Sequence, residues 1–391
     1  MVIILRALLM AVSVASVLTA CTVKPSAPAP VEVTVPYSAA MAKAVAEVPS
    51  LDDIFSLTPE QQAEFLQYFN SAQLQDMPRH KRLYSFLEQH TAGFNYLGQN
   101  YTAREAYANK SGNCISLAVL TKALADIAGI PIEFQTIISA PVYSMKNDYM
   151  LSSDHVRTFL YDPDFVPEKG VIYFGKPRVV VDYLPSSGDL TGPRISEKTF
   201  IAMFYRNLAA DAAVATKYSQ SLALLKEALE YDSHYSSVIN LVAVVHRRLQ
   251  RPELAEQFYQ YGLDVAANKA TLIGNYAMLK FGAGEAEQAE AMLQSLLELE
   301  EYDPYLWFLL GQTATSKQRY EDAVSYFSKA AEQAPYVHQL QLELAAALYR
   351  NQQFDKAGEV LAAAAALAPT ESTRQRYDAK LQALKLYQSR H

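Results

Sequence analysis

The residue best suited to covalent chemistry in this 391-residue chain is Cys114, one of only two cysteines. It follows a turn that ends in Asn113, a residue type that caps helices well, and it precedes an apolar run that continues to Ile127. Unpaired N–H groups and the helix dipole stabilise a thiolate at the first turn of a helix. The position therefore predicts a nucleophilic cysteine, and the competing interpretation is a buried structural thiol.

Helices and then strands are predicted around this cysteine, between about residues 50 and 200. A helix begins near Thr58-Pro59-Glu60, others are expected near 79–91 and 102–109, and the Cys114 helix stops at Gly129 and Pro131. Four strand-like runs follow, at 132–138, 155–161, 171–174 and 178–183. The order predicts a helical first half that carries the thiol, followed by strands.

A cysteine that opens a buried helix before an antiparallel sheet resembles the arrangement of papain-like enzymes. The residues are similar to those of the transglutaminase-like branch in three motifs: Thr102-Ala103-Arg104-Glu105, Gly112-Asn113-Cys114 and Gly129-Ile130-Pro131. The resemblance implies an α+β domain over residues 49–200. It departs from many members of that branch at Ile115, where an aromatic residue is common.

The resemblance also implies a catalytic triad of Cys114, His155 and Asp182, because the family places a histidine at the start of one strand and an aspartate at the end of a later one. Asp162 remains an alternative to Asp182 as the residue that orients the imidazole. Gln99 and Asn100 are candidate oxyanion donors, and the sequence does not choose between them. The implied reaction is acyl transfer at a peptide or amide bond, by hydrolysis or by transamidation.

The second half of the chain repeats with a period of 34 residues. Four alanines mark the period, at Ala255, Ala289, Ala323 and Ala357. The unit 304–337 contains Trp307, Leu310, Gly311, Ala314, Ala323, Phe327, Ala330 and Pro335, which is the spacing of a tetratricopeptide repeat. The pattern predicts an all-α solenoid of about five units over 201–371, with a capping helix over 372–391.

Solenoids of this kind have no chemistry of their own and usually present a concave face to a peptide or another protein. Residues one and four places into each first helix are expected to line that face, and among them Tyr305, Phe308 and Leu342 are predicted to bind the partner. Arg247 and Tyr349 are predicted to contact it near the far rim of the groove.

The N-terminus predicts export and lipidation. Residues 1–20 form an apolar run with one early cation, Arg6, as in a secretory signal peptide. The run ends in Leu18-Thr19-Ala20-Cys21, which resembles a bacterial lipobox and implies acylation of Cys21. Residues 21–48 are Pro-rich and predict an extended tether. We expect a lipid-anchored protein of the outer membrane that faces the periplasm.

Composition excludes several other classes of function. The net charge of −7 argues against non-specific binding to nucleic acid. No metal or cofactor is expected, because no histidine or cysteine pair has ligand spacing, and the six histidines other than His155 are expected to be solvated. The sequence thus predicts an envelope lipoprotein with a Cys-His-Asp acyl-transfer site that acts on a protein or peptide selected by the repeats. The alternative is an inactive scaffold that assembles envelope proteins through those repeats.

Overall fold

The computed structural model describes residues 34–44, 47–95, 98–138, 143–146, 149–152, 155–183, 190–297 and 304–388. The predicted signal peptide, Cys21 and most of the predicted tether lie outside these ranges. The compact unit of the described chain starts at Val35.

Short capped helices build the first part of this unit: α1 (Ala39–Ala42), α2 (Leu51–Phe55), α3 (Pro59–Phe69), α4 (Arg79–His90), α5 (Ala103–Asn109) and α6 (Cys114–Ala128). Reciprocal capping boxes open α2, α3 and α5, at Ser50/Asp53, Thr58/Gln61 and Thr102/Glu105. Each box satisfies two N–H groups that a helix start leaves unpaired, which explains why these helices begin where they do.

Helix α6 lies at the centre of this part and is buried on all sides. Asn113 caps its start, and Gly129 ends it in the left-handed conformation with φ 64°. The apolar run predicted a core helix, and the neighbours of α6 agree with that prediction: α2 to α5, the first helix of the repeats, and a strand of the sheet.

The strands are β1 (Ile132–Ile138), β2 (Tyr143–Lys146), β3 (Tyr149–Ser152), β4 (His155–Tyr161), β5 (Arg178–Asp182) and β6 (Leu190–Ile195). Strands β5, β4, β1 and β6 form one antiparallel sheet in that order, and β2 pairs with β3 separately. The predicted antiparallel sheet is confirmed. The strand predicted over 171–174 is wrong: these residues lie in the loop between β4 and β5, where Ile172 and Phe174 are exposed and have no strand to pair with.

Helix pairs fill the rest of the described chain: α7 (Glu197–Val214), α8 (Tyr218–Tyr231), α9 (Ser236–Arg248), α10 (Pro252–Val265), α11 (Ala270–Gly282), α12 (Ala286–Leu297), α13 (Pro304–Ser316), α14 (Tyr320–Gln333), α15 (His338–Arg350), α16 (Phe354–Ala366) and α17 (Glu371–Gln388). The starts of α9, α11, α13 and α15 follow one another at 34-residue steps. The period read from the alanines is therefore also the period of the helices.

The turn inside each pair repeats with the same step. One residue adopts the left-handed conformation in every case, at Thr216, Gln250, Gly284, Gln318 and Gln352. The next N–H donates to the carbonyl five residues earlier, as Arg319 does to Ala314 at 2.8 Å and Gln353 does to Leu348 at 2.9 Å. This bond is the mark of the Schellman motif, which satisfies carbonyls at a helix end. Only one of the five positions carries the glycine that this conformation favours.

Small residues let the helices of a pair approach each other closely. A Cβ added to Gly311 in α13 would lie 2.7 Å from the ring of Phe327 in α14. Because no side chain fits in that space, the close contact requires glycine at this position.

One hydrophobic core runs from Met41 to Leu279 and so joins the α+β part to the first repeats. The boundary predicted at 200/201 falls inside α7, whose Phe200 stacks on Phe134 of β1 with ring centroids 4.0 Å apart. The Tyr205 hydroxyl donates to the Pro49 carbonyl at 2.7 Å. Helix α7 thus belongs to both parts, a relation that a repeat pattern alone does not reveal.

The end of the predicted tether is docked on the repeats. Helix α1 packs against α8, and Met41 is fully buried in the shared core. Ser38 caps α1, and its Oγ lies 3.2 Å from Nε2 of the buried His246 in α9. The prolines at positions 25, 28, 30 and 36 predicted an extended chain in this region. Residues 35–44 of the predicted tether of 21–48 are therefore docked on the folded unit.

Candidate functional site

Strand pairing brings His155 and Asp182 together. β4 and β5 are antiparallel, with Arg157 opposite Asp182, so His155 at the start of β4 lies diagonally across from Asp182 at the end of β5. Their Nε2 and Oδ1 atoms are 3.0 Å apart, and the two side chains are 11% and 23% exposed. An imidazole that donates from Nε2 to a carboxylate keeps Nδ1 as the nitrogen able to accept a proton.

Cys114 occupies the first position of α6 and is only 3% exposed. The Asn113 side chain accepts the Ser116 N–H at 2.9 Å, so one of the unpaired N–H groups at the start of the helix is satisfied there. Gly112 has φ +144° and comes so close to Ser116 that an added Cβ would lie 2.8 Å from the serine Cβ. The start of α6 is therefore a tightly fixed backbone, with the thiol at its first residue.

Polar contacts tie residues 99–101 to the start of α6. Tyr101 N–H donates to Ser116 Oγ at 2.8 Å, and Asn113 N–H donates to the Gln99 carbonyl at 3.0 Å. Asn113 Nδ2 donates to Asn100 Oδ1 at 2.7 Å, and Asn100 Nδ2 donates to Asp211 Oδ2 of α7 at 2.7 Å. Asn100, a candidate oxyanion donor in the sequence, thus links α6 to the repeats through both ends of its amide.

Tyr183 joins the end of β5 to α6, and sequence reasoning did not single it out. Its hydroxyl lies 3.0 Å from Thr121 Oγ1 in α6 and 2.8 Å from Thr158 Oγ1 in β4. Burial raises the pKa of Tyr183 far above its usual range, the two threonines act in the opposite direction, and Cys114 and Asp182 add to the rise. The buried hydroxyl is therefore within electrostatic reach of both groups.

Asp162, the alternative partner for His155, lies near another histidine. Its Oδ1 is 3.6 Å from Nδ1 of His80, and it follows the last residue of β4, whereas His155 is the first. Burial lowers the pKa of His80, and Asp162 opposes that effect. Of the two aspartates weighed in the sequence, the one hydrogen-bonded to His155 is Asp182.

The expectation that the remaining histidines are solvated is wrong for three of them. His80, His90 and His246 are buried, and burial lowers the pKa of each. Each imidazole packs on the inner side of its helix, which a polar residue type does not reveal. Among the described residues, no group of three or more metal-ligating side chains is close enough together to hold a metal ion.

The predicted partner-binding residues fall in different environments. Arg247, Tyr305 and Leu342 are half-buried, and Tyr349 is exposed. Phe308 is 7% exposed and packs edge-on against Phe327, so most of its surface is used in the repeat core.

A polar ladder crosses the first helices of three successive pairs. The Tyr305 hydroxyl donates to Asn275 Oδ1 at 2.9 Å, and Asn275 Nδ2 donates to Asn240 Oδ1 at 3.1 Å. These residues belong to α13, α11 and α9 respectively. Tyr305 is therefore held in place by neighbouring repeats.

No helix in the described ranges has the length and apolar character to cross a bilayer. Comparison with curated proteins finds no match.

Three solved structures illustrate the similarity to known folds. PilF of Pseudomonas aeruginosa is 18% identical, covers 50% of this chain and 100% of its own, and gives a TM-score of 0.40. PilW, described as a type IV pilus biogenesis factor, is 17% identical, with 45% and 81% covered and a TM-score of 0.38. YrrB, described as a TPR protein with an unusual peptide-binding site, is 20% identical, with 45% and 91% covered and a TM-score of 0.32. The tetratricopeptide repeat family model matches residues 277–338, and this match confirms the repeats predicted from the 34-residue period.

Proposed function

We propose that this chain is an adaptor that binds a protein or peptide through its tetratricopeptide repeats. The observation that carries the proposal is the family match over 277–338, in an array of helix pairs that extends on both sides of it. Stacked repeats of this kind form an extended concave surface, and such surfaces are used for binding.

The proposed binding surface follows the first helices of the pairs. Tyr305 is fixed by its bond to Asn275, so its ring is already ordered before a partner arrives. A fixed aromatic side chain loses little conformational entropy on binding, which favours affinity. Arg247 in α9 adds a cation, and Leu342 and Tyr349 extend the surface along α15. The ring of Phe308 stacks against that of Tyr305, with ring centroids 6.4 Å apart.

The proposal includes the location of the protein. Acylation of Cys21 would anchor the chain at the outer membrane, and the tether before Val35 would separate the folded unit from the lipid. The α+β part, proposed as a transglutaminase-like domain over 49–200, shares its core with the first repeats. An adaptor built in this way would present its α+β part and its repeats in a fixed relation.

Site-specific photo-crosslinking in cells tests the adaptor proposal. A photoreactive amino acid at position 305 or 247 should give a discrete adduct with an envelope protein. The matched control is position 332, where Glu332 is exposed on the second helix of the same pair as Tyr305. The Cys114→Ser chain should give the same adduct. Equal adducts at 305 and 332, or no adduct at 305 and 247, would contradict the proposal.

A second candidate function, acyl transfer by Cys114, is favoured by the 3.0 Å contact between His155 and Asp182. In this reaction the thiolate attacks an amide carbonyl carbon, and the imidazolium of His155 gives its proton to the leaving amine. Water or another amine then releases the acyl group from sulfur. An electrophilic cysteine probe should label the purified protein at Cys114 and should not label the Cys114→Ser variant; an unlabelled folded wild type counts against this function.

A further inference from the structure

The last helix, α17, leaves a cavity against the last complete pair of repeats. Helix α17 packs mainly along α16, and the cavity lies where these two helices meet α15. Leu381 and Leu384 of α17 rest on α16 beside Gly358. The Tyr377 hydroxyl lies 2.8 Å from Nδ1 of His338, which fixes the first half of α17 to the start of α15.

The resulting cavity has a volume of about 480 Å³, within the range of sites that hold small molecules. Its walls are made by α15, α16 and α17 and consist mostly of alanine and leucine. The lining residues are Leu342, Ala345, Ala346, Tyr349, Arg350, Ala357, Leu361, Lys380, Ala383 and Leu384.

Three of the lining residues are polar: Tyr349 carries a hydroxyl, and Arg350 and Lys380 are cations. Arg350 and Lys380 are exposed cations, and both act on the same half-buried carboxyl, Glu343. Burial raises the pKa of Glu343, and the two cations oppose that rise. Arg350 and Lys380 also line the same cavity, so an anionic group bound there has two positive charges beside it.

The walls argue against a peptide as the occupant. Every peptide unit carries an N–H and a C=O that must be paired when they are buried. The lining has no asparagine, glutamine, serine or threonine to pair with them. An alkyl chain has no such groups, and its burial against alanine and leucine is favourable throughout.

We propose that this cavity binds a long-chain fatty acid, with its alkyl chain between α15, α16 and α17 and its carboxylate at Arg350 and Lys380. The proposal commits to a carboxylate, since both cations are at the surface and can pair with a charged group that stays in water. Leu342 and Tyr349 belong both to this cavity and to the proposed partner surface, whereas Arg247 and Tyr305 do not line the cavity, so substitutions at 247 and 305 separate the two proposals.

Calorimetric titration of the full chain, purified without detergent, tests the proposal with palmitate as the probe. One palmitate should bind per chain. Hexadecanol, which has the chain but not the charge, should bind about tenfold more weakly, and acetate should not bind detectably. If palmitate does not bind, or if trileucine binds more tightly than palmitate, the proposal is overturned.

Substitutions locate the site. Ala383→Trp fills the cavity from the exposed helix α17 and should weaken palmitate binding at least about tenfold. Lys380→Gln removes one cation and should weaken palmitate by about two- to fivefold while leaving hexadecanol unchanged. Lys385→Gln is the matched control, because Lys385 is exposed on α17 but outside the lining. Palmitate binding that is equal in Ala383→Trp and wild type would place the ligand elsewhere and overturn the proposal.

Discussion

His155 and Asp182 are hydrogen-bonded across the diagonal of two antiparallel strands, with Nε2 and Oδ1 3.0 Å apart. The contact joins the first residue of β4 to the last residue of β5. Since strand register fixes it, the pair does not depend on a flexible loop to form. This relation is the structural basis of the second candidate function.

The first prediction concerns alkylation of Cys114 by iodoacetamide. If His155 assists the thiol, His155→Ala should slow alkylation by about 100-fold at neutral pH, and Asp182→Asn should slow it less. Asp162→Asn is the matched control, because Asp162 lies beside His80 instead. Rates measured by mass spectrometry decide the question. Equal rates in wild type and His155→Ala, or an equal effect of the two aspartate variants, would remove the basis for an activated thiol.

The second prediction concerns the repeated left-handed turn. Gln318 has φ 58° and Gly284 holds the equivalent position one repeat earlier. Gln318→Gly should therefore raise the free energy of unfolding by about 0.5–1 kcal/mol, because glycine adopts this conformation without steric cost. Gln294→Gly, in the middle of α12, should lower it by about 1 kcal/mol. Urea titrations give both values, and a destabilised Gln318→Gly protein would contradict the assignment of the turn.

The third prediction concerns the pH dependence of stability. Burial lowers the pKa of His246 to about 4, with a smaller contribution from Arg251. In the unfolded chain His246 has its ordinary pKa of about 6.5 and binds a proton below that pH, whereas in the folded chain it stays neutral down to about pH 4. The free energy of unfolding therefore falls as the pH falls from 6.5 toward 4. Between pH 7 and pH 5 the loss should be about 2 kcal/mol.

The His246→Gln variant isolates this contribution. Its unfolding free energy should be lower at pH 7 and should decline less between pH 7 and pH 5 than that of wild type. His80 and His90 are buried in both proteins, so their effects cancel in the comparison. The same pH slope in both proteins would show that His246 is not kept neutral by the fold.

The fourth prediction concerns the anchor. Cys21→Ser should move the protein from the membrane fraction to the soluble periplasmic fraction or leave an unprocessed precursor, because acylation would be lost. Cys114→Ser is the control with the other cysteine replaced, and it should stay with the membrane. A Cys21→Ser protein that has lost its signal peptide and still resists a high-salt wash of the membranes would show that something other than lipid holds it.

Local rules predicted the elements well. The runs 132–138 and 155–161 are strands at those bounds, and the helix predicted from Cys114 begins there. Each of these predictions depends on residues that are neighbours in sequence. The 34-residue period worked for the same reason, since each repeat contacts mainly the next one.

Contacts between distant segments were beyond such rules. The run Val171 to Phe174 has strand propensity, but it has no strand to pair with and stays exposed. The prolines before α1 predicted an extended chain, whereas Met41 is buried against helices that are distant in sequence. Helix α7 packs in two parts of the core, and Tyr183 lies between Thr121 and Thr158. Both depend on contacts between segments that are distant in sequence.

In the proposed function the repeats, and not the thiol, recognise the partner. The most direct test measures the dissociation constant of the partner identified by crosslinking, for wild type, Cys114→Ser and the double variant Arg247→Ala/Tyr305→Ala. We expect Cys114→Ser to stay within about twofold of wild type and the double variant to bind at least about tenfold more weakly. Loss of binding in Cys114→Ser with full affinity in the double variant would contradict it.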